Sequence, residues 1–167
     1  MTRQKKLFGM RVQNHRGFYA VLLGASVAAL AAAVYLQLVD KLAPCPLCIL
    51  QRFGFIWLAV FALIGLLRGR LGTLGNATAL LGGLAGTGVA VYHNWLLMNP
   101  ADGCVIKDPI HNFVNELPTA TWWPAMFRAE GGCTDVLPPL MGLGIPQWAL
   151  IGLSLISVGF VVRLLRR

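Results

Sequence analysis

The chain has 167 residues, 57% hydrophobic and 12% charged, with mean hydropathy +0.68 and a formal net charge of +8. Soluble domains carry about 25% charged and 45–50% apolar residues, so this chain has too little charge to coat a water-soluble globule of its length. Disorder is excluded by the same composition, because disordered chains are poor in apolar residues and rich in charge.

Charged residues are absent from Gly17 to Val39, from Phe53 to Leu67, from Leu71 to Ala101 and from Val136 to Val162. A helix needs about 20 mostly apolar residues to cross roughly 30 Å of hydrocarbon. These runs predict membrane helices near 17–39, 49–67, 74–97 and 147–165, the second taking Arg52 into its first turn. The expected fold class is all-α, an integral membrane four-helix bundle forming a single domain over 1–167, with outer loops at about 40–48 and 98–146. The first apolar run is longer than the 7–15 residues of a signal-peptide core, which predicts a retained anchor. Leu42-Ala43-Pro44-Cys45 only faintly resembles a lipoprotein cleavage site, since Pro44 stands where a small cleavable residue is needed.

Four crossings put both termini on one side. That side holds ten basic residues and no acid: Arg3, Lys5, Lys6, Arg11 and Arg16, then Arg68 and Arg70, then Arg163, Arg166 and Arg167. The other side holds Lys41, Arg52, Lys107 and Arg128 with all six acids, a balance of −2. The positive-inside rule therefore predicts cytoplasmic termini and periplasmic loops in a bacterial inner membrane. The net positive charge is topological, made of short flanks rather than a continuous nucleic-acid-binding face.

The second outer loop predicts one short helix. Asp108 suits its N-cap and Pro109 its first residue. Ile110, Phe113, Val114 and Leu117 follow at i, i+3, i+4 and i+7. With Trp122, Trp123, Met126 and Phe127 just beyond, the segment is expected either to lie on the outer membrane surface or to pack its apolar residues on the bundle, and in both cases to stay near the bilayer. In the third span, Gly82-x-x-x-Gly86 and Gly75-x-x-x-Ala79 predict close helix packing.

All four cysteines fall in the outer loops, where a bacterium forms disulfides: Cys45 and Cys48 as Cys-Pro-Leu-Cys, then Cys104 and Cys133. A structural zinc site wants two close pairs, which this spacing lacks, so no metal is expected. A Cys104–Cys133 disulfide closing a long loop would be worth a few kcal/mol, whereas the tiny Cys45–Cys48 loop would gain little. Two cysteines separated by two residues are instead a redox arrangement, in which a neighbouring thiol resolves mixed disulfides. Cys48 stands at the outer start of the second helix, where free N–H groups and the macrodipole favour a thiolate. A non-catalytic scaffold with structural disulfides is the bland alternative.

A dithiol oxidised repeatedly needs an electron acceptor, and no nucleotide fingerprint or haem-attachment motif is present. A lipid-soluble quinone suits the lipid–water boundary. Arg52 follows Cys48 by one helical turn, on the same face, where a guanidinium stabilises a thiolate and the charge arriving on a quinone oxygen. A snorkelling arginine is the competing reading. His93 is placed at about the depth of Arg52, and a histidine within a span is a candidate hydrogen-bond or proton donor to the quinone, helix packing being the alternative.

Cys45-Pro46-Leu47-Cys48-Ile49-Leu50-Gln51-Arg52, the distant Cys104 and Cys133, Tyr92-His93, and Gly142-Leu143-Gly144-Ile145-Pro146-Gln147-Trp148 closely resemble the bacterial disulfide bond formation protein B (DsbB) family over nearly the whole chain. That family, with a DsbA partner and quinone, keeps the bacterial periplasm oxidising. The resemblance implies a thiol:quinone oxidoreductase that re-oxidises a DsbA-like thiol oxidase. In it Cys104 is attacked by the partner, Cys133 is its disulfide mate, and Cys45 exchanges with Cys133. Cys48 contacts the quinone with Arg52 assisting, and His93 occupies a family position near it. Ubiquinone is the expected acceptor, with menaquinone as the alternative, since DsbA at about −120 mV demands a strongly oxidising sink. Gln51 departs from the family, where an acid is frequent. Vitamin K epoxide reductase-like proteins share the ingredients, but the order of their cysteine pairs differs.

Overall fold

The computed structural model describes residues 2–67, 70–99, 109–133 and 139–165, with side chains from residue 16 onward. Its helices are α1 (Thr2–Val39), α2 (Pro46–Gly65), α3 (Arg70–Met98), α4 (Pro109–Glu116), α5 (Pro118–Trp122), α6 (Pro124–Phe127) and α7 (Ile145–Leu165). Among the described residues, four segments are long and apolar enough to span a membrane: Arg16–Val39, Pro46–Gly65, Arg70–Met98 and Ile145–Leu165. The protein is an integral membrane four-helix protein, as the charge-free runs predict.

The element boundaries have local causes. Helix α1 runs back to Thr2, through the basic segment that precedes the expected span. Helix α2 begins at Pro46, ahead of the expected residue 49, because Cys45 caps it: its backbone is extended (φ −80°, ψ 162°) and its Sγ accepts the Cys48 N–H. Proline suits the following position, since its fixed φ is helical and its missing N–H would be unpaired there anyway. Cys48 therefore lies inside the first turn of α2. In the long loop between α3 and α7, α4 is found as expected, while its expected cap Asp108, with Cys104 and Lys107, lies outside the described residues. Two further helical turns, α5 and α6, were not expected; each starts at a proline. Val114 is buried against Ile49 and Ala129, but Phe113, Trp122 and Trp123 stay 58%, 82% and 57% exposed. Exposed aromatic rings beside the apolar spans are what a segment resting on the membrane interface presents.

Small residues let α2 and α3 approach closely. A Cβ on Gly86 would sit 3.3 Å from the Gly54 Cα and 3.3 Å from Leu153, and one on Gly82 would run into the Trp57 ring. At Gly75 a Cβ would meet Ile64 and the Gly65 nitrogen, so the predicted glycine stripe is a backbone-to-backbone seam. Tyr19, Phe55, Leu58, Ala79, Leu153 and Phe160 form the core between α1, α2, α3 and α7. Away from the loops, Tyr19 donates to Asn76 Oδ1 at 2.7 Å, and Asn76 in turn donates to the Gly72 carbonyl. In an apolar core such groups are costly unless paired.

The start of α7 is set by a tight turn. Met141 (φ 52°) and Gly142 (φ 83°) both have positive φ, and Leu140 and Leu143 exchange backbone hydrogen bonds at 2.8 and 3.1 Å. Gln147 accepts from the Gly144 N–H and the Trp148 indole donates to the Leu140 carbonyl, tying the turn to the first turn of α7. The Asn94 amide on α3 donates to the Pro146 carbonyl at 3.1 Å, fixing where α7 starts beside α3.

Candidate redox site

Cys45 and Cys48 are free thiols, their sulfurs 3.0 Å apart, and the Cys45 thiol donates to Cys48. Cys45 is 4% exposed and Cys48 partly exposed. Sharing its hydrogen with the Cys48 sulfur, and then burial, hold the Cys45 thiol well above the ordinary thiol range. Cys133, by contrast, is disulfide-bonded and buried, and it packs in one apolar cluster with Cys45, Leu47 and Leu96.

A strap from the second loop covers the pair. The Glu130 and Gly131 N–H groups both donate to the Pro44 carbonyl, at 2.9 and 3.1 Å. A Cβ at Gly131 would press on the Ala43 carbonyl, so glycine permits this approach. Asn115 holds the strap from α4, accepting from the Ala129 N–H at 2.8 Å and donating to its carbonyl at 3.0 Å.

Arg52 is 6% exposed, and its guanidinium donates to the Met126 carbonyl at 2.8 Å. It does not snorkel to the headgroups; a backbone oxygen at the end of the loop helices holds it in place. His93 comes from α3 and is buried. Its Nε2 lies 3.7 Å from Cys45 Sγ and 3.2 Å from the Cys133 carbonyl, and its Nδ1 is 3.2 Å from the Gln51 amide nitrogen.

An apolar cavity of about 180 Å³ lies between α1, α2 and α7. Leu30, Ala33, Phe55 and Trp148 are among its walls, and Cys48, Gln51, Arg52 and Gln37 supply its polar groups. The structure thus brings Cys48 and Arg52 to one chamber, as the helical spacing predicts, and separates His93 from it. His93 was expected at an acceptor beside Arg52, but it does not line this cavity and turns to Cys45 and Cys133 on the loop side. Sequence spacing yields depth in the membrane, not which face of a neighbouring helix a ring meets. Two cavity residues escaped the sequence reading. Gln51, a departure from the family pattern, bonds His93, and Gln37 Oε1 is buried with no hydrogen-bond partner among the described residues. A polar residue near the end of an apolar span is the signal that marks Gln37.

A thiol pair at a helix start, with a buried disulfide sulfur on one side and an apolar chamber holding a cation on the other, defines a membrane thiol–disulfide oxidoreductase. Residues 15–163 match the family "Disulfide bond formation protein DsbB". Curated relatives bearing the name disulfide bond formation protein B include one from Ralstonia nicotianae, 44% identical over 92% of this chain and 96% of that protein. Another, from Cupriavidus metallidurans, is 42% identical over 92% of this chain and 95% of its own length. A third, from Burkholderia pseudomallei, is 39% identical over 94% of each. The chain belongs to the DsbB family and is a disulfide-generating oxidoreductase, which sets aside a purely structural scaffold.

Proposed function

We propose that this protein takes electrons from a reduced, DsbA-like periplasmic thiol oxidase and passes them to membrane quinone. Cys104, Cys133, Cys45 and Cys48 carry the exchange, with Arg52 assisting at the quinone. The observation that carries this reading is the position of Cys48, which shares an apolar chamber with Arg52 while its neighbour Cys45 packs against Cys133. A chain with free thiols at 45 and 48 beside an oxidised Cys133 corresponds to the stage at which electrons have left the second loop and not yet left the protein.

The donor set fits a quinone headgroup: one thiol, one guanidinium and two amide side chains in otherwise hydrocarbon walls. When bound, the quinone supplies a two-electron, two-proton sink. Cys48 is the sulfur that faces it, and Cys45 is the sulfur that re-forms the Cys45–Cys48 disulfide. Because the Cys45 thiol is held up, it keeps its proton until Cys48 reacts. Arg52, anchored through one N–H to Met126, has its remaining N–H groups for a quinone oxygen, where developing negative charge in a dry site is strongly stabilised. His93, hydrogen-bonded to Gln51, is placed to move a proton at Cys45 during exchange with the second loop. On that side a thiolate on the partner attacks the loop-two disulfide, Cys133 is released to exchange with Cys45, and the strap over Pro44 opens and closes around this step. The bundle is a single membrane domain of the bacterial inner membrane with cytoplasmic termini and periplasmic cysteines. Ubiquinone is the acceptor proposed, with menaquinone in its place where the cell makes that instead.

Purified protein given reduced DsbA and ubiquinone consumes the quinone, and Cys48→Ser abolishes this; unchanged turnover in that variant discards the route. A Cys133→Ala variant is expected to retain the periplasmic partner as a mixed disulfide, which identifies it. Labelling of the cysteines from outside intact spheroplasts tests the orientation.

A further inference from the structure

Cys45, Cys48 and His93 do more than position one another. One ligand-type atom from each, two sulfurs and a ring nitrogen, lies within 4.8 Å of the others, and both Cys45 and His93 are buried. Sequence spacing alone argued against a metal, since it shows one close cysteine pair. The fold adds the third ligand from α3.

We propose that the reduced pair and His93 form a binding site for a thiophilic d10 dication of the zinc class, present only in the dithiol state of the enzyme. Zinc prefers tetrahedral S and N ligands at about 2.3 and 2.0–2.1 Å, which sets ligand atoms about 3.5–3.8 Å apart. Cys45 Sγ and His93 Nε2 already stand at 3.7 Å. The sulfurs, at 3.0 Å, must part by under about 1 Å while the Cys48 sulfur closes on His93 from within 4.8 Å, both adjustments falling on the partly exposed Cys48 side chain. Gln51 is the outer partner such a site needs. With its amide turned so that the oxygen accepts from Nδ1–H, the Nε2 lone pair points to the sulfurs, as in histidine ligands oriented by a second hydrogen bond. The Cys133 carbonyl oxygen, 3.2 Å from Nε2, is a further donor close to the ring nitrogen that could complete the shell.

Charge and atoms balance without any redox change. Two thiols bind the dication as two thiolates and release two protons to solvent, leaving a neutral cluster. Arg52 is a neighbouring charge rather than a ligand: its guanidinium is hydrogen-bonded to the Met126 carbonyl and shares the chamber with Cys48. Oxidation to the Cys45–Cys48 disulfide removes both thiolates and with them the site. Metal binding therefore stabilises the reduced pair and withholds it from both the second loop and the chamber, so that free zinc inhibits in proportion to the reduced fraction. Only this inhibitory consequence rests on the proposed quinone route; the binding itself does not.

The test uses the full chain in detergent, freed of quinone and reduced with a phosphine, titrated with Co2+ and then Zn2+ against a chromophoric chelator. Expected is one ion per chain beyond that bound by Cys45→Ser/Cys48→Ser, which keeps the loop-two cysteines, and its loss when the pair is oxidised. His93→Ala weakens binding at least about tenfold, and Gln51→Leu by about the same factor. Equal binding by the double cysteine variant, or unweakened binding by His93→Ala, overturns the proposal. Should His93→Ala fail to fold, X-ray absorption of zinc on the wild-type chain decides. Two sulfurs and an imidazole support the site, and a shell without imidazole refutes it.

Discussion

Replacing Arg52 with methionine separates the two halves of the proposed electron route. The guanidinium is buried, donates to the Met126 carbonyl at 2.8 Å, and lines the chamber that holds Cys48. A hydrogen bond to a charged group contributes about 1.5–3 kcal/mol, so losing one at a quinone oxygen lowers kcat/KM for quinone about 10- to 150-fold. The stability cost is smaller in net. Met126 loses its partner, at about 1–3 kcal/mol, but the desolvation penalty of a buried cation disappears with it, and methionine fills most of the volume. The assay compares steady-state quinone reduction with a single-turnover exchange, in which reduced partner meets oxidised, quinone-free enzyme. Arg52→Met should slow the first at least about tenfold more than the second, since exchange loses only the charge beside the Cys48 sulfur whereas quinone reduction also loses the hydrogen bond at the quinone oxygen. Arg52→Lys restores part of the loss, because it keeps the charge but not the planar fork. Equal slowing of both reactions, or a quinone kcat/KM within about twofold of wild type in a folded variant, would refute the reasoning.

Other expectations are simpler to check. Gln37→Leu removes a buried acceptor that has no partner among the described residues from the chamber wall and should raise KM for quinone about 2- to 10-fold, the worth of one neutral hydrogen bond, with kcat nearly unchanged. Gly86→Leu drives a side chain into the Gly54 backbone and Leu153; a loss of about 1–3 kcal/mol should appear as a lower thermal midpoint in detergent. Since the Cys45 thiol is held above its ordinary range, the folded reduced chain binds its proton more tightly than the unfolded chain does. That contribution to stability is complete below about pH 8.5 and is lost as pH rises further, so the reduced form should lose thermal midpoint above that pH faster than the disulfide form. A parallel pH dependence in the two forms would contradict it.

Much of the site was legible because membrane chemistry leaves few options. A span must be apolar, so Gly17–Val39 and Val136–Val162 announce themselves, and Arg52, a cation one turn from Cys48, stands out against them. A helical repeat puts Cys48 and Arg52 on one face wherever the helix goes, and both line one chamber. His93 shows the limit of that logic. Its depth follows from counting along α3, but whether its ring meets the chamber or the thiols depends on how α3 is rotated against α2, which the Gly54–Gly86 seam decides. Gln51 was equally hidden, since its bond to His93 joins residues 42 positions apart.

Sequence alone determined the number of spans, an expected orientation by charge and the redox reading of the cysteine pair, because these depend on local composition and short spacings. Tertiary structure alone decided that Arg52 is pinned by Met126, that the strap at Glu130–Gly131 closes over Pro44, and that His93 joins Cys45 and Cys48. Those arrangements arise from contacts between segments distant in the chain, set by helix rotation and loop packing that no local pattern records.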